Sequence, residues 1–257
     1  MFTHKTPRVV AARRLTTRSG RQESGRFLAE GAQAVKEALR HGHVHELFVT
    51  EAAATRHADL LAGASAVSLI NQRAAELLSE TRTPQGIVAV CDTVSVSPAT
   101  ALAGKPKLVA VLVGVADPGN AGSVLRVADA AGADAVIFAG ESVDVHNGKC
   151  VRASTGSVFH LPVAVERDVS SALAACEAAG LRTVAAHGYA DADLDSAAGL
   201  TEPTAWLFGN EAHGLPETVL AAADQAVRVP IYGKAESLNL ATAAAVCLYA
   251  SALRNRP

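Results

Sequence analysis

Short apolar runs alternate along this chain with alanine-rich amphipathic stretches, and the two periods predict an α/β protein. Strands are expected at 26–30, 46–50, 67–70 and 86–90, with helices at 32–41, 53–61 and 72–79, the last capped by Asn71. That is a compact βαβαβαβ layout. Over 93–106 the periodicity gives way to Ser, Thr, Pro and Gly, the composition of a linker. The pattern resumes with an unbroken apolar run at 108–115 and a helix over 121–131 that Asn120 is placed to cap. Strands follow at 135–139, 161–165, 183–186, 204–208 and 226–231, with helices at 171–179 and 237–253. Apolar rather than alternating strands, separated by helices, predict a mostly parallel sheet covered on both faces. The expected organisation is a basic arm (1–25), a small α/β domain (26–92), a linker (93–106) and a larger α/β domain (107–257).

Composition refines this picture. Hydrophobic residues make up 49% of the 257 positions but aromatics only 4%, so a core of small side chains and close helix-on-sheet packing is expected. No apolar run is long enough to span a bilayer, and the polar, basic start lacks a signal-peptide core, so a cytoplasmic protein is expected. Cys91, Cys150, Cys176 and Cys247 form no C-x-x-C pair and read as buried thiols. The net charge of −2 hides a polarity: residues 1–40 carry nine Lys or Arg against three Glu. Arg13, Arg14, Arg18, Arg21 and Arg26 lie in this basic head, which suits a phosphate backbone better than bases, given so few aromatics.

Three segments carry the candidate chemistry: Asp117-Pro-Gly-Asn-Ala-Gly-Ser-Val-Leu-Arg126, Leu207-Phe-Gly-Asn-Glu-Ala-His-Gly-Leu215 and Val229-Pro-Ile-Tyr-Gly-Lys-Ala-Glu-Ser-Leu-Asn-Leu240. Each follows or ends an apolar run and combines glycine with a few polar groups, as expected of loops at strand ends, where open α/β sheets hold ligands. Pro118-Gly119 is expected to turn the chain off its strand, Gly209 to let a ligand approach the backbone, and Ser237 to cap the last helix. Gly114, Gly119 and Gly122 do not make a dinucleotide fingerprint, Gly148-Lys149 does not make a phosphate loop, and G-x-S-x-G is absent. The run His41, His43, His45 reads as a loop or strand start, and no metal is expected.

In order, spacing and chemistry these three segments resemble the signature motifs of the SpoU (TrmH-like) RNA ribose 2'-O-methyltransferases of the knotted SPOUT superfamily, over roughly residues 107–255. Residues 150–162 resemble that family's middle segment. Residues 26–31 with their βα unit resemble, more loosely, the ribosomal-protein-like substrate-binding domain often fused ahead of it. His213, Leu240 and Thr242 depart from the residues common at their positions.

The resemblance implies a trefoil-knotted C-terminal domain, S-adenosylmethionine as cofactor, no metal, and a homodimer with its site near the subunit interface. Gly209, Asn210, Val229 and Leu238, with Leu207 and Ile231 nearby, correspond to cofactor-binding positions. Arg126 corresponds to the catalytic arginine, and Asn120, Glu211, Ser237 and Asn239 to the polar site residues. An arginine is almost never neutral in a protein, which favours a phosphate-holding role for Arg126 over a proton-accepting one. The basic head and separate N-terminal domain favour ribosomal RNA of the large subunit. The alternatives are transfer RNA as substrate, or a binding factor that has lost its chemistry.

Overall fold

A computed structural model of the chain describes residues 1–255, so the last two positions of the expected 107–257 domain lie outside the described residues. In chain order the first elements are α1 (Pro7–Arg14), α2 (Arg18–Ser24), β1 (Arg26–Glu30), α3 (Ala32–His41), β2 (Val44–Val49), α4 (Glu51–Arg56), α5 (Ala58–Leu61), β3 (Val67–Leu69), α6 (Gln72–Leu77) and β4 (Ile87–Asp92). They are followed by β5 (Ser95–Val96), α7 (Pro98–Ala101), β6 (Leu108–Val113), α8 (Pro118–Ala131), β7 (Ala135–Ala139), α9 (Gly148–Ser154), β8 (Val163–Glu166) and α10 (Val169–Ala178). The last are β9 (Arg182–Ala186), β10 (Ala192–Asp193), β11 (Thr204–Phe208), α11 (Glu217–Ala222), β12 (Gln225–Arg228) and α12 (Leu240–Asn255). Residues 1–94 with 144–160 form one compact unit, and 95–143 with 161 onward form a second.

The first unit is built on a four-stranded sheet of order β1-β4-β2-β3, in which β4 is antiparallel to both neighbours and β3 runs parallel to β2. The sequence expects residues 1–25 to be an arm, but α1 and α2 are part of this unit's fold. Pro7 starts α1 at a first-turn position where a missing N–H costs nothing. Val9, Ala12 and Leu15 then enter the core beside Leu28, Phe48, Ile70, Leu78 and Val88. Their charged neighbours hide that apolar stripe in the sequence. Residues 144–160 return from the second half of the chain to complete the unit, and Phe159 stacks on the fully buried Phe27 with ring centroids 5.7 Å apart. Cys91, on β4, is buried, and that burial, reinforced by the neighbouring Asp92 charge, pushes its thiol up to about 12.

Arg21 also differs from its expected role at a phosphate. Only 5% of its side chain is exposed; its Nε donates to Asp144 Oδ2 at 2.8 Å and its Nη1 to the Leu15 carbonyl at 2.9 Å. Burial disfavours the Asp144 carboxylate, but the His146 ring, the His146 N–H and the Arg21 guanidinium outweigh it and hold its pKa well below the usual carboxylate range. Arg21→Ala strands this carboxylate and is expected to cost about 3–5 kcal/mol in urea unfolding. Because the folded pKa is lowered, the stabilisation is present above the unfolded value of about 3.9 and is lost as pH falls through the folded one. Wild-type stability should therefore hold from pH 7 to 5 and fall as pH drops below about 4. The variant, its Asp144 carboxylate less favoured in the folded state, should lose less over that range, so the difference between the two narrows in acid.

The second unit is an eight-stranded sheet of order β10-β12-β9-β11-β6-β7-β8-β5, every neighbouring pair parallel. β6, β7 and β11 are buried along their whole length, as continuous apolar runs in a two-sided parallel sheet should be. α12 packs along α8, and its buried Ser251 hydroxyl satisfies the Trp206 indole N–H at 3.0 Å. The expected linker is largely absorbed: β5 pairs with β8 at the sheet edge, Ser97 caps α7, and Ala101 and Leu102 join the core. Among the described residues no helix is long and apolar enough to cross a membrane.

The strand order puts a topological switch between β6 and β11, because the chain runs outward from β6 through β7 and β8 on one side and places β9 to β12 on the other. Phe208 pairs with Leu112, so the loops leaving β6 and β11 emerge side by side at the carboxyl edge.

Candidate active site

The loop after β6 enters α8 without the separate turn the sequence suggests. Pro118 is the first residue of α8, and Asp117 caps it by accepting the Asn120 N–H at 2.8 Å. Asn120 therefore lies in the first turn, where its amide is free to serve elsewhere. An Asp immediately before Pro-Gly is the signal for this start.

The loop after β11 is closed by a reciprocal backbone pair, Asn210 N–H to the Gly214 carbonyl at 2.9 Å and Gly214 N–H to the Asn210 carbonyl at 2.8 Å. This pair explains Gly209: a Cβ there would lie 2.2 Å from the Gly214 carbonyl carbon. The glycine is thus required by the loop's own closure, before any ligand is considered. The Asn210 side chain donates to the Gly114 carbonyl at 2.8 Å and accepts the Ala212 and His213 N–H groups, tying the two loops together.

Glu211 strengthens that tie. Its carboxylate accepts the Ala116 and Asp117 N–H groups and the Asn120 amide, each at 3.1 Å. Partial burial works to raise its pKa, but the Ala116 N–H, its own backbone N–H, the Asn120 amide and the Asp117 N–H together lower it below the ordinary glutamate value. Glu211 is thus an ionised clamp on the first loop, poorly suited to accept a proton. Asn120 in turn accepts the Asn239 amide at 3.0 Å, and Asn239 Oδ1 caps α12 through the Ala241 N–H at 2.9 Å. One hydrogen-bonded chain, Glu211–Asn120–Asn239, joins all three segments.

The other expected residues divide by location. Ser237 is exposed and makes no hydrogen bond among the described residues; α12 starts at Leu240 with Asn239, not Ser237, as its cap. Arg126 is exposed on α8, on the same helix face as Gly119 and about 10 Å further along the axis. Leu207 lies wholly in the core, so its side chain faces no ligand. Val229 is half-buried, while Ile231 and Leu238 are exposed on the segment after β12. Over 231–238 the backbone enters no helix or strand and, among the described residues, makes no hydrogen bond, leaving its polar groups available. In the first unit Arg13, Arg14, Arg18 and Arg26 are exposed; Arg14 pairs with Glu23 at 2.9 Å and Arg26 approaches Asp92 at 3.8 Å.

Residues 107–249 match the SpoU rRNA Methylase family, and residues 6–89 match the MRM3-like substrate binding domain. The chain is 36% identical to the 23S rRNA (guanosine(2553)-2'-O)-methyltransferase RlmP of Bacillus subtilis, over 95% of this chain and 96% of that one. It is 32% identical to a 23S rRNA (uridine(2479)-2'-O)-methyltransferase of Streptomyces viridochromogenes, over 97% and 94%. The crystal structure of an AdoMet-bound rRNA methyltransferase from Sinorhizobium meliloti superposes with a TM-score of 0.84 at 31% identity, covering 96% of this chain and 94% of that one. With a matching family over more than half its length and relatives matched nearly end to end, the chain belongs to the SpoU rRNA methylase family.

Proposed function

We propose that this protein transfers the methyl group of S-adenosylmethionine to a ribose 2'-hydroxyl of 23S ribosomal RNA in the cytoplasm. The Glu211–Asn120–Asn239 chain carries the reading, since it gathers the three motif loops at the switch point of the sheet. Both full-length relatives named above are 23S rRNA enzymes, which favours ribosomal over transfer RNA.

The residues present fit the cofactor. The available backbone of 231–238 and the aliphatic side chains of Val229, Ile231 and Leu238 suit an adenosyl group held by backbone contacts. When bound, S-adenosylmethionine supplies a methyl group already activated by its sulfonium. The protein's task is then to align a weak nucleophile and to exclude water. In this scheme Arg126 holds the phosphate next to the target ribose, and Asn120 and Asn239 fix the loop shape. Glu211 acts as a positioning residue through its grip on residues 116–117, and Ser237 is available to the RNA. The test is transfer of labelled methyl to 23S rRNA from cells lacking the enzyme. Label confined to one ribose of that RNA supports the proposal, and label in transfer RNA instead refutes the substrate assignment.

The first unit serves as the RNA-binding part. Arg13 and Arg18 project from helices whose other faces are buried, so both can be neutralised without disturbing the core. Arg13→Gln with Arg18→Gln is expected to reduce the slope of log binding constant against log salt by about 1–2. Filter binding across a salt series measures it.

Homodimerisation is part of the same reading, and the exposed face of α12 supports it. Val246, Tyr249 and Leu253, spaced as one helical stripe, are 39%, 40% and 75% exposed. Leu253→Glu is expected to shift the protein from dimer to monomer in light scattering.

A further inference from the structure

His41, His43 and His45 are neighbours in sequence but join two different clusters in the first unit. His43 Nδ1 and His45 Nε2 lie 2.7 and 2.5 Å from the two oxygens of Asp92, with the Arg26 guanidinium 3.8 Å away. That carboxylate is fully engaged by short hydrogen bonds and a neighbouring cation, and it offers nothing to a further ligand.

The second cluster has a different geometry. Glu37 and His41 are one turn apart on α3, and His160 follows the short turn at 157–159. A single oxygen, Glu37 Oε2, faces His160 Nε2 at 3.3 Å and His41 Nε2 at 3.7 Å, and the three atoms lie within 4.8 Å of one another. These spacings are long for charge-assisted hydrogen bonds, which run at about 2.7–2.9 Å. They bracket the separation of about 3.4 Å expected between two ligand atoms on a tetrahedral zinc with bonds of about 2.0–2.1 Å. The carboxylate is buried, with 9% of its side chain exposed, whereas the imidazoles are 50% and 30% exposed, so the open side faces solvent.

Two further features support the arrangement. Gln33 Nε2 donates to the other oxygen, Glu37 Oε1, at 3.0 Å, an outer contact of the kind that orients a ligating carboxylate. Gly156, at φ +102°, brings the returning segment so close that a Cβ there would sit 2.5 Å from Glu37 Cγ, which sets His160 against α3. Arg40 also approaches Oε1, at 4.0 Å, whereas both imidazoles face Oε2.

We infer that Glu37, His41 and His160 form a binding site for a divalent transition-metal ion, with water completing the coordination. Two imidazoles and one carboxylate suit Zn²⁺, Ni²⁺ or Cu²⁺ and not Mg²⁺ or Ca²⁺. Bound there, the ion fastens the returning 144–160 segment to α3, a structural role separate from methyl transfer.

The experiment uses the full chain, stripped with a chelator and titrated with Co²⁺ and then with Zn²⁺ against a chromophoric competitor. One equivalent of metal per chain is expected, with the strong visible absorption of four-coordinate Co²⁺ and a zinc-dependent rise in Tm. His41→Ala and His160→Gln, both at solvent-facing positions, should each weaken binding by about tenfold or more, with far-ultraviolet circular dichroism unchanged. His45→Ala should leave binding unaltered. Magnesium should give no Tm shift. Substoichiometric metal, binding that survives both His41→Ala and His160→Gln, or binding lost with His45→Ala would each overturn the inference.

Discussion

Arg126→Ala is expected to reduce methyl transfer by about 10³-fold or more, about 4 kcal/mol of transition-state stabilisation, while S-adenosylmethionine binds as in wild type. The expectation rests on where Arg126 sits. α8 is anchored at its start by Asp117 and Asn120 and along its length by burial of Ala121, Val124, Leu125 and Ala128. Its exposed side can therefore present a guanidinium without strain, two turns from the loop that Glu211 clamps. A planar fork that pairs with a phosphate fixes the ribose as well as attracting it, so its loss should appear in kcat as well as in RNA affinity. Arg126→Lys separates the two roles considered for this residue. If the side chain only positions phosphate, lysine restores part of the rate and leaves the pH profile unchanged. If it accepts the proton, lysine introduces a rising limb near its own pKa of about 10. Unaltered turnover by Arg126→Ala would remove this residue from the mechanism.

Much of the second unit's sheet was legible in the sequence, because strands buried on both faces leave unbroken apolar runs. The strands at 135–139 and 204–208 appear at their expected bounds, as does helix 32–41 in the first unit. Asn71 caps α6 as its position predicts, accepting the Ala74 N–H. The misreadings share a cause, which is that local pattern carries no tertiary information. In 1–25 six Lys and Arg side chains obscure Val9, Ala12 and Leu15, whose burial depends on a sheet formed later in the chain. The assignment of 144–160 to the first unit has no local signal at all. The site was legible as three motifs whose mutual contacts were not. Sequence suggests a polar site residue in Glu211 and a cap in Ser237, whereas the hydrogen bonds make Glu211 a clamp on the first loop and Asn239 the cap. The knot rests on the family resemblance, since hydrophobic periodicity has no access to threading.

Gly209→Ala tests whether that clamp is the basis of the site. The added Cβ would lie 2.2 Å from the Gly214 carbonyl carbon and 2.4 Å from both its oxygen and the Leu215 nitrogen. These are backbone atoms, so no rotamer change relieves the overlap and the 209–214 loop must open. Opening it breaks the Asn210–Gly214 pair, draws the Asn210 amide from Gly114 and displaces Glu211 from residues 116–117. Displacement of the loop by about 1 Å is enough to lower transfer by about 10²-fold, and cofactor affinity should fall with it. The stability cost should stay near 1–3 kcal/mol, because Trp206, Leu207 and Phe208 remain packed beneath the loop. Gly214→Ala is the control: φ is +68° there but nothing lies within 4 Å of the new Cβ, so only a modest backbone penalty of about 1 kcal/mol applies. Isothermal titration with S-adenosylmethionine and urea unfolding of both variants separate the possibilities. A Gly209→Ala protein that binds cofactor normally would mean that the closed loop is not needed to shape the site. Equal losses in both variants would mean that backbone freedom, not the close approach at Gly209, is what the loop requires.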